Sequence, residues 1–360
     1  MSAPHNPAKA TRFSMSMGTR ASGAAMIGAG LVVAILFALP FFADRSALQS
    51  LFFVLTMLAL AQYWNLLAGY AGLVSVGQQA YVGLGGYLLF ALTIFGGLDP
   101  LLAIPIAGLI PAVIAIPAAW LVFRLQGAYF AIGTWVLAEV FRLILAQVRP
   151  LGGGTGTSLS KAVADDSALV RMIAEGMGLR TPAARDVAAY WLALAMAIFA
   201  TALVYGVLRS RRGLALAAIR DNEGAASSLG VNPFALKRAV YVLAAFGAGM
   251  VGALIYMQKA RISPDAAFSV VDWTANVLFI VIIGGVATIE GPFIGVLVLY
   301  FLQEELAAFG PAYLISLGAI AILVMVAFPK GLWGSFAERF DISLFPVRRN
   351  LKAIEPSPGA

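Results

Sequence analysis

The sequence predicts an all-α, polytopic membrane bundle of about ten transmembrane helices. Hydrophobic residues make up 61% of the 360 residues and charged residues only 11%, whereas soluble domains average about 25% charged residues. The mean hydropathy is +0.91. No Asp, Glu, Lys or Arg occurs in the 53 residues from 46 to 98, which is room for two spans of about 20 residues each. These observations exclude an ordinary soluble enzyme and a disordered tail protein.

Uncharged runs separated by turn signals divide the chain into ten spans. A cleaved signal peptide is the alternative for the first run, but about 19 apolar residues exceed a usual signal core and Ala43-Asp44-Arg45 is a poor cleavage site. The third span is dense in glycine, and the ninth carries Glu304 and Glu305 near its end. The predicted spans are 25–43, 46–68, 73–97, 101–123, 127–147, 187–208, 239–258, 273–289, 292–309 and 311–328.

The basic residues predict which ends face the cytoplasm. Ten spans place both tails, the turn after the fourth span and the 209–238 loop on one side, with 15 Lys and Arg residues against 8 on the other. Because basic residues concentrate in cytoplasmic loops, the tails 1–24 and 336–360 are predicted to be cytoplasmic. They flank a membrane domain, 25–335, whose 148–186 loop lies outside. The net charge of +7 is then explained by the basic residues of the cytoplasmic segments. Nucleic acid is therefore not an expected partner.

The absence of Cys and the presence of a single His exclude several kinds of metal and catalytic site. The chain has no Cys, and its only His is His5 in the polar N-terminal tail. Disulfides and thiolate metal sites are therefore excluded. So are a histidine metal site and a catalytic triad.

Two glycine-rich clusters carry amide side chains inside predicted spans. Polar side chains are costly in lipid and should face the bundle interior, where they could line a path for a polar or zwitterionic solute. Tight helix packing is the alternative role for the glycines, and the two clusters are consistent with an internal two-fold repeat. The candidate path residues are Asn65, Ser75, Gln78, Gln79, Tyr81 and Asn276, and the helix-break or packing glycines are Gly69, Gly72, Gly77, Gly284, Gly285 and Gly291.

The fifth span holds Glu139 and Arg142, three residues apart on one helical face. A local ion pair lowers the cost of burying both charges. The alternative is an ion-coupling site.

The 209–238 loop predicts a short helix lying across the membrane face. An Ala/Leu-rich segment favours a first helix, and Asp221 or Asn222 can cap a second one. Gly230 ends it in a left-handed conformation, and Asn232-Pro233 starts the next span. The small residues of this second helix leave room for another protein to dock.

This loop resembles the ATPase-docking loop of bacterial ABC importer permeases, whose pattern is Glu-Ala-Ala-x-x-x-Gly. Ala225 to Gly230 match the Ala-Ala-x-x-x-Gly part, and the Glu is displaced to Glu223. The wider stretch resembles the M-type permease subunit of high-affinity branched-chain amino acid importers. The resemblance assigns ATPase coupling to Arg220, Asp221, Asn222, Glu223, Ala225, Ala226 and Gly230.

Four further stretches carry the same resemblance, which extends from about residue 50 to 335. They are 65–77, 127–132, 283–292 and 329–334.

The resemblance implies a complex in the bacterial inner membrane. Its other members would be a second homologous permease subunit, two cytoplasmic ATP-binding subunits and a periplasmic substrate-binding protein. A P-loop needs Gly-Lys followed by Ser or Thr, and this chain contains no Gly-Lys dipeptide. ATP and Mg would therefore bind to the partner subunits, with no cofactor in this chain.

Three other functions stay open from the residues alone. An ion-coupled secondary transporter of a small polar solute would need a carboxylate in mid-membrane, and Glu139 or Glu290 could supply it. An ABC permease for urea or short amides would differ from a branched-chain amino acid permease only in its substrate. A membrane scaffold with no transport path would not explain why amide side chains are buried inside the spans.

Overall fold

The computed structural model describes residues 12–16, 20–160, 167–306, 309–310, 312–340, 344–345 and 350–354. Residues 161–166 of the predicted outer loop, and most residues of the two predicted tails, lie outside this description. The helices are α1 (Arg20–Ala38), α2 (Arg45–Asn65), α3 (Gln79–Ile94), α4 (Pro100–Val122), α5 (Ala128–Ala146), α6 (Ala168–Met177), α7 (Thr181–Arg209), α8 (Arg211–Asp221), α9 (Glu223–Ser228), α10 (Pro233–Lys259), α11 (Pro264–Ala267), α12 (Asn276–Gly284), α13 (Gly291–Leu306), α14 (Ala312–Ala327) and α15 (Gly331–Phe340).

Two short strand pairs, two π-helical turns and three 3-10 turns (Leu39–Phe41, Arg149–Leu151 and Gly153–Thr155) complete the described elements. The π-helical turns extend α2 through Leu66–Tyr70 and precede α12 at Val271–Ala275. The strands are β1 (Arg12–Ser16), β2 (Thr157–Ser158), β3 (Arg261–Ile262) and β4 (Asn350–Ile354), which pair as β1 with β4 and β2 with β3, both antiparallel.

The all-helical polytopic prediction is confirmed, although the count of ten spans stays a prediction. Within the described ranges, seven stretches are long and apolar enough to cross a membrane. Two shorter apolar helices, Met26–Phe41 and Gln79–Ile94, together with α13, lie at the three remaining predicted positions. The internal repeat also stays a prediction. The seven long stretches are 45–70, 100–122, 128–146, 181–209, 233–259, 264–284 and 312–340.

Helices α2 and α10 form the centre of the bundle. Most of their apolar surface is buried, whereas α5 and α14 lie at the periphery with exposed apolar faces. Helix α10 packs along α3 and α4, and α2 packs along α7. Glycines bring α3 and α10 together, because a Cβ on Gly85 would overlap the carbonyl of Gly249 and one on Gly252 would overlap that of Val82. Lipid tails remove the hydrophobic driving force between helices, so close packing at small residues stabilises their association instead.

The third predicted span begins with a segment that is not helical. Helix α3 starts only at Gln79, and the backbone from Gly72 to Gln78 has no regular secondary structure; Gly72 and Val74 are exposed, whereas Ser75, Gly77 and Gln78 are buried. Trp64 donates its indole N–H to the Ser75 carbonyl (2.8 Å), and Val76 donates its N–H to Thr134 Oγ1 (3.1 Å). Irregular backbone at membrane depth survives only where protein or a cavity surrounds it, and here protein side chains satisfy it.

The predicted outer loop is ordered where it is described. Helix α6 buries Val170 and Ile173 against the bundle. The Asp99 carboxylate caps α4 through Leu101 N–H (2.8 Å) and also accepts the N–H of Ala168 (2.9 Å) at the start of α6. The loop is therefore fixed to the end of the α3–α4 pair.

Helix directions allow a direct test of the predicted sidedness. Met172 on α6 is 65% exposed, and Leu229 beyond the end of α9 is 83% exposed. The chain contains no Cys, so single Met172→Cys and Leu229→Cys variants each carry one thiol. We expect a membrane-impermeant maleimide to label Met172→Cys in intact cells from the periplasm. Leu229→Cys should be labelled only after the inner membrane is opened. The reverse pattern would overturn the topology.

Candidate functional site

The C-terminal end of α2 holds the loop between α12 and α13. Asn65 is completely buried; its Oδ1 accepts the N–H of Ala287 (2.9 Å) and its Nδ2 donates to the Thr288 carbonyl (2.7 Å). One turn earlier, Gln62 donates from Nε2 to the Ile289 carbonyl (2.9 Å). The two glycine-rich clusters, about 200 residues apart in sequence, therefore meet directly. We call this contact the Asn65 clamp.

Glycines permit the close packing around the Asn65 clamp. A Cβ on Gly69 would lie 2.5 Å from Asn65 Oδ1 and 2.7 Å from Ala287 N, and a Cβ on Gly284 would overlap the Gly291 carbonyl. Gly285 adopts a φ of +132°, beside Thr288, whose hydroxyl bonds the Gly285 carbonyl (2.7 Å). These glycines pack backbone against backbone and leave no space between the two clusters.

The other two predicted glycines differ from each other. A Cβ on Gly77 would overlap the carbonyl of Thr134, so Gly77 is a packing residue. Gly72 has a φ of +71° with open space around it. It borders a cavity of about 680 Å³ that also touches Phe234 and Lys237 at the start of α10.

The polar residues of the first cluster face the interior and bond within the chain. Gln78 donates to the Ala244 carbonyl (3.5 Å), and Gln79 Oε1 accepts the Thr274 hydroxyl. Tyr81 donates its hydroxyl to Tyr241 (2.8 Å). Ser75 Oγ accepts the N–H of Gly77 (3.2 Å). Each of these four side chains thus has a hydrogen-bond partner within the chain, and their role in a path stays a prediction.

Asn276, another of the predicted path residues, borders a cavity. This cavity of about 730 Å³, which we call the outer cavity, lies between the first half of α2, the end of α10 and the turn before α12. It is at the opposite end of the bundle from the Asn65 clamp, because α2 runs from one to the other. Sequence reasoning missed Lys259 and Asp272, which line the outer cavity.

The 209–238 loop folds as its sequence predicts. Asn222 caps α9 by accepting the N–H of Ala225 (2.9 Å), Gly230 follows with a φ of +85°, and Asn232 caps α10 through Ala235 N–H (3.0 Å). Glu223 pairs with Lys237 (2.6 Å), which ties α9 to α10.

The two adjacent alanines of α9 differ in exposure. Ala225 is exposed, whereas Ala226 is buried within its own chain. Arg220 and Asp221, at the end of α8, are also exposed. The surface open to a partner is thus the face of α9 that carries Ala225 and ends at Leu229.

Neither carboxylate proposed for ion coupling is free. Glu139 forms hydrogen bonds with Arg142, which also pairs with Asp265 of α11 at 2.6 Å. Glu290 Oε1 accepts the N–H of Leu344 (3.2 Å) and of Phe345 (2.9 Å), so it fixes the chain after α15.

Comparison with known proteins identifies similar chains. Residues 45–328 match the family model described as branched-chain amino acid transport system, permease component. The chain is 28% identical over 313 residues to the high-affinity branched-chain amino acid transport system permease protein LivM of Escherichia coli K12, covering 84% of this chain and 73% of that protein. The LivM protein of Salmonella typhimurium LT2 is 27% identical over the same coverage. No solved structure matches the chain.

The Asn65 clamp can be tested through its neighbouring glycine. Gly69→Ala would press a methyl group against Asn65 Oδ1 and Ala287 N, and overpacking of this kind costs about 1–3 kcal/mol. Gly206→Ala in α7 is the matched control, because nothing lies within 4 Å of its added Cβ. We expect Gly69→Ala to lower the thermal unfolding midpoint of the purified protein in detergent while Gly206→Ala leaves it unchanged or slightly raised. Equal midpoints would contradict the clamp.

Proposed function

Since this chain belongs to the family of permease components of branched-chain amino acid ABC transport systems, we propose that it forms one half of an importer's translocation path. A second homologous permease subunit forms the other half. The chain is not itself an enzyme. ATP, with Mg, is hydrolysed by two separate cytoplasmic subunits. A periplasmic substrate-binding protein delivers a branched-chain amino acid to the outer side.

The exposed short helix α9 carries this proposal. A partner that transmits ATP hydrolysis needs a rigid element to push on, and α9 is fixed at both ends by the Asn222 cap and the turn at Gly230. The ion pair between Glu223 and Lys237 holds it against α10. Its exposed face is small at Ala225 and apolar at Leu229, which suits insertion into a groove of another protein.

The opposite end of the bundle supports the outer half of the proposal. The ordered loop with α6 and the outer cavity both lie at the end away from α9. We assign the 148–186 loop to contact with the substrate-binding protein.

We also assign both termini to the cytoplasm of a bacterium, on the side of α9. The antiparallel pairing of β1 with β4 supports a common side for the two tails.

The carboxylates weigh against an ion-coupled secondary transporter. A coupling carboxylate must release and rebind its ion, yet Glu139 is held by Arg142 and Glu290 by two backbone N–H groups. Such a transporter would also not need a helix that docks an ATPase subunit.

The ATPase contact is tested by adding charge to the exposed face of α9. Ala225→Glu places a carboxylate on that face without touching the chain's own packing, so we expect it to reduce co-purification of the ATPase subunits by at least about tenfold, the factor that corresponds to about 1.4 kcal/mol of binding. Substrate-stimulated ATP hydrolysis of the complex in nanodiscs should fall with it.

The matched control is Ala217→Glu on α8, which is also exposed and makes the same change of charge in the same loop. We expect this variant to retain the ATPase subunits. Normal coupling in Ala225→Glu would remove α9 as the docking element, and an equal loss in both variants would assign the effect to charge alone. Ala226→Glu is not suitable, because Ala226 is buried and its variant would misfold the loop.

A further inference from the structure

Helix α5 carries an ionic cluster on a side that its own chain leaves open. Arg142 donates from Nε and Nη2 to the Glu139 carboxylate, at 2.6 Å for the shortest bond, and it also pairs with Asp265 of α11 at 2.6 Å. The Glu139 side chain is 47% exposed and that of Asp265 is 83% exposed. Two carboxylates and one guanidinium leave an excess of one negative charge. We call these three residues the α5 ionic cluster.

The α5 ionic cluster lies within the length of α5 that crosses the membrane. Glu139 comes seven residues before the end of α5 at Ala146, which at a rise of 1.5 Å per residue is about 10 Å. The whole helix is about as long as the hydrocarbon core of a bilayer, which is about 30 Å thick. Charged side chains at this depth face protein or water, because lipid tails supply neither a counter-charge nor a hydrogen bond. The exposed side of α5 is therefore not covered by lipid alone.

The exposed side of α5 forms a continuous stripe. The buried residues of α5 repeat every four residues and form one line against the bundle. Exposed residues at spacings of three and four form a second line on the opposite side. This second line, which we call the α5 stripe, consists of Ile132, Val136, Glu139 and Leu143, with Trp135 beside it. Trp usually lies at the two ends of a span, whereas Trp135 lies near the middle of α5, and Trp is enriched at protein interfaces.

Exposure alone does not distinguish α5, because α14 is also largely exposed. Helix α14 contains no Asp, Glu, Lys or Arg, so lipid tails can cover it without an electrostatic cost. The α5 ionic cluster is the feature that separates the two helices. It indicates that α5, and not α14, is covered by another protein.

We propose that the α5 stripe is the surface that packs against the second permease subunit, and that this subunit presents a basic or hydrogen-bond-donating side chain to Glu139. The inference rests on the proposed function, since it locates on this chain the contact between the two halves of the translocation path. The excess negative charge of the α5 ionic cluster determines the chemistry of the partner, because complementary charges fix register and suppress wrong partners.

A second copy of this chain fits the α5 stripe less well. A two-fold axis brings the same patch of two copies together. The excess negative charge of one α5 ionic cluster would then face that of the other, which opposes association. The charge therefore favours a different chain over a second copy.

Photocrosslinking tests the contact in the full complex. The photoreactive residue p-benzoylphenylalanine replaces either Ile132 on the α5 stripe or Ile322 on α14, which are 53% and 64% exposed. The two positions are a matched pair, since each lies within five residues of one end of its helix. We expect the probe at position 132 to form an adduct with the second permease subunit, identified by mass spectrometry, and the probe at position 322 to form none.

Three results of the crosslinking would overturn the proposal. The first is no adduct with the second permease subunit from position 132. The second is an adduct between two copies of this chain from that position. The third is an equal yield of the adduct from positions 132 and 322.

Removing the charges separates a protein partner from lipid. The double variant Glu139→Leu with Arg142→Leu makes the α5 stripe apolar, which lipid would tolerate and a partner with a donor opposite Glu139 would not. We expect it to reduce co-purification of the second permease subunit by at least about tenfold. The matched control is Lys330→Leu with Glu338→Leu, which removes another exposed ion pair and should retain that subunit. Full retention in the α5 double variant would show that lipid covers the stripe and would refute the contact.

Uptake by the wild type separates this failure from failure of the proposed function. ATP-driven leucine uptake in proteoliposomes that hold the full complex tests the function itself. A complex that takes up leucine, but whose second permease subunit does not crosslink to position 132, refutes the α5 contact alone. A wild-type chain that assembles with no second permease subunit and supports no ATP-driven uptake refutes the proposed function.

Discussion

The Asn65 clamp is the contact on which the architecture depends. An asparagine amide offers both a donor and an acceptor, and here one side chain satisfies two backbone groups of a loop that joins two membrane helices. Lipid offers no hydrogen bonds to exposed backbone groups, so the irregular loop after α12 can exist at this depth only because α2 supplies them. The glycines around it are required for the same reason, since any side chain would separate the two surfaces.

The Asn65 clamp also joins the two ends of the molecule. Helix α8 packs against Leu66–Tyr70 at the inner end of α2, and the outer half of α2 forms one wall of the outer cavity. A displacement of the α8–α9 pair therefore acts on a rigid helix that reaches the outer cavity. Helix α10 has the same geometry, because it begins beside α9 and ends at Lys259. Coupling between distant sites in proteins travels through such packed elements.

Buried polar groups in this bundle divide into two kinds. Gln78, Gln79 and Tyr81 find partners in neighbouring helices and hold α3 against α10 and the turn before α12. Gln62 Oε1 and Gln258 Oε1 are also buried, but neither has a hydrogen-bond partner among the described residues. Polar groups with partners in neighbouring helices stabilise the packing, whereas a buried acceptor without a partner is costly.

The sequence by itself determined the membrane class, the approximate positions of most membrane helices and the local structure of the 209–238 loop. These follow from short-range physics: uncharged runs must avoid water, and Asn222, Gly230 and Asn232 act on backbone groups within a few residues. The tertiary structure alone decided which amides are used in packing, that Ala226 is buried while Ala225 is exposed, and that Lys259 and Asp272 share a cavity. The composition of a span predicts that its polar residues face the bundle interior, but their hydrogen-bond partners lie on segments far away in sequence. Asn65 and Ala287, 222 residues apart, become neighbours only when the bundle closes.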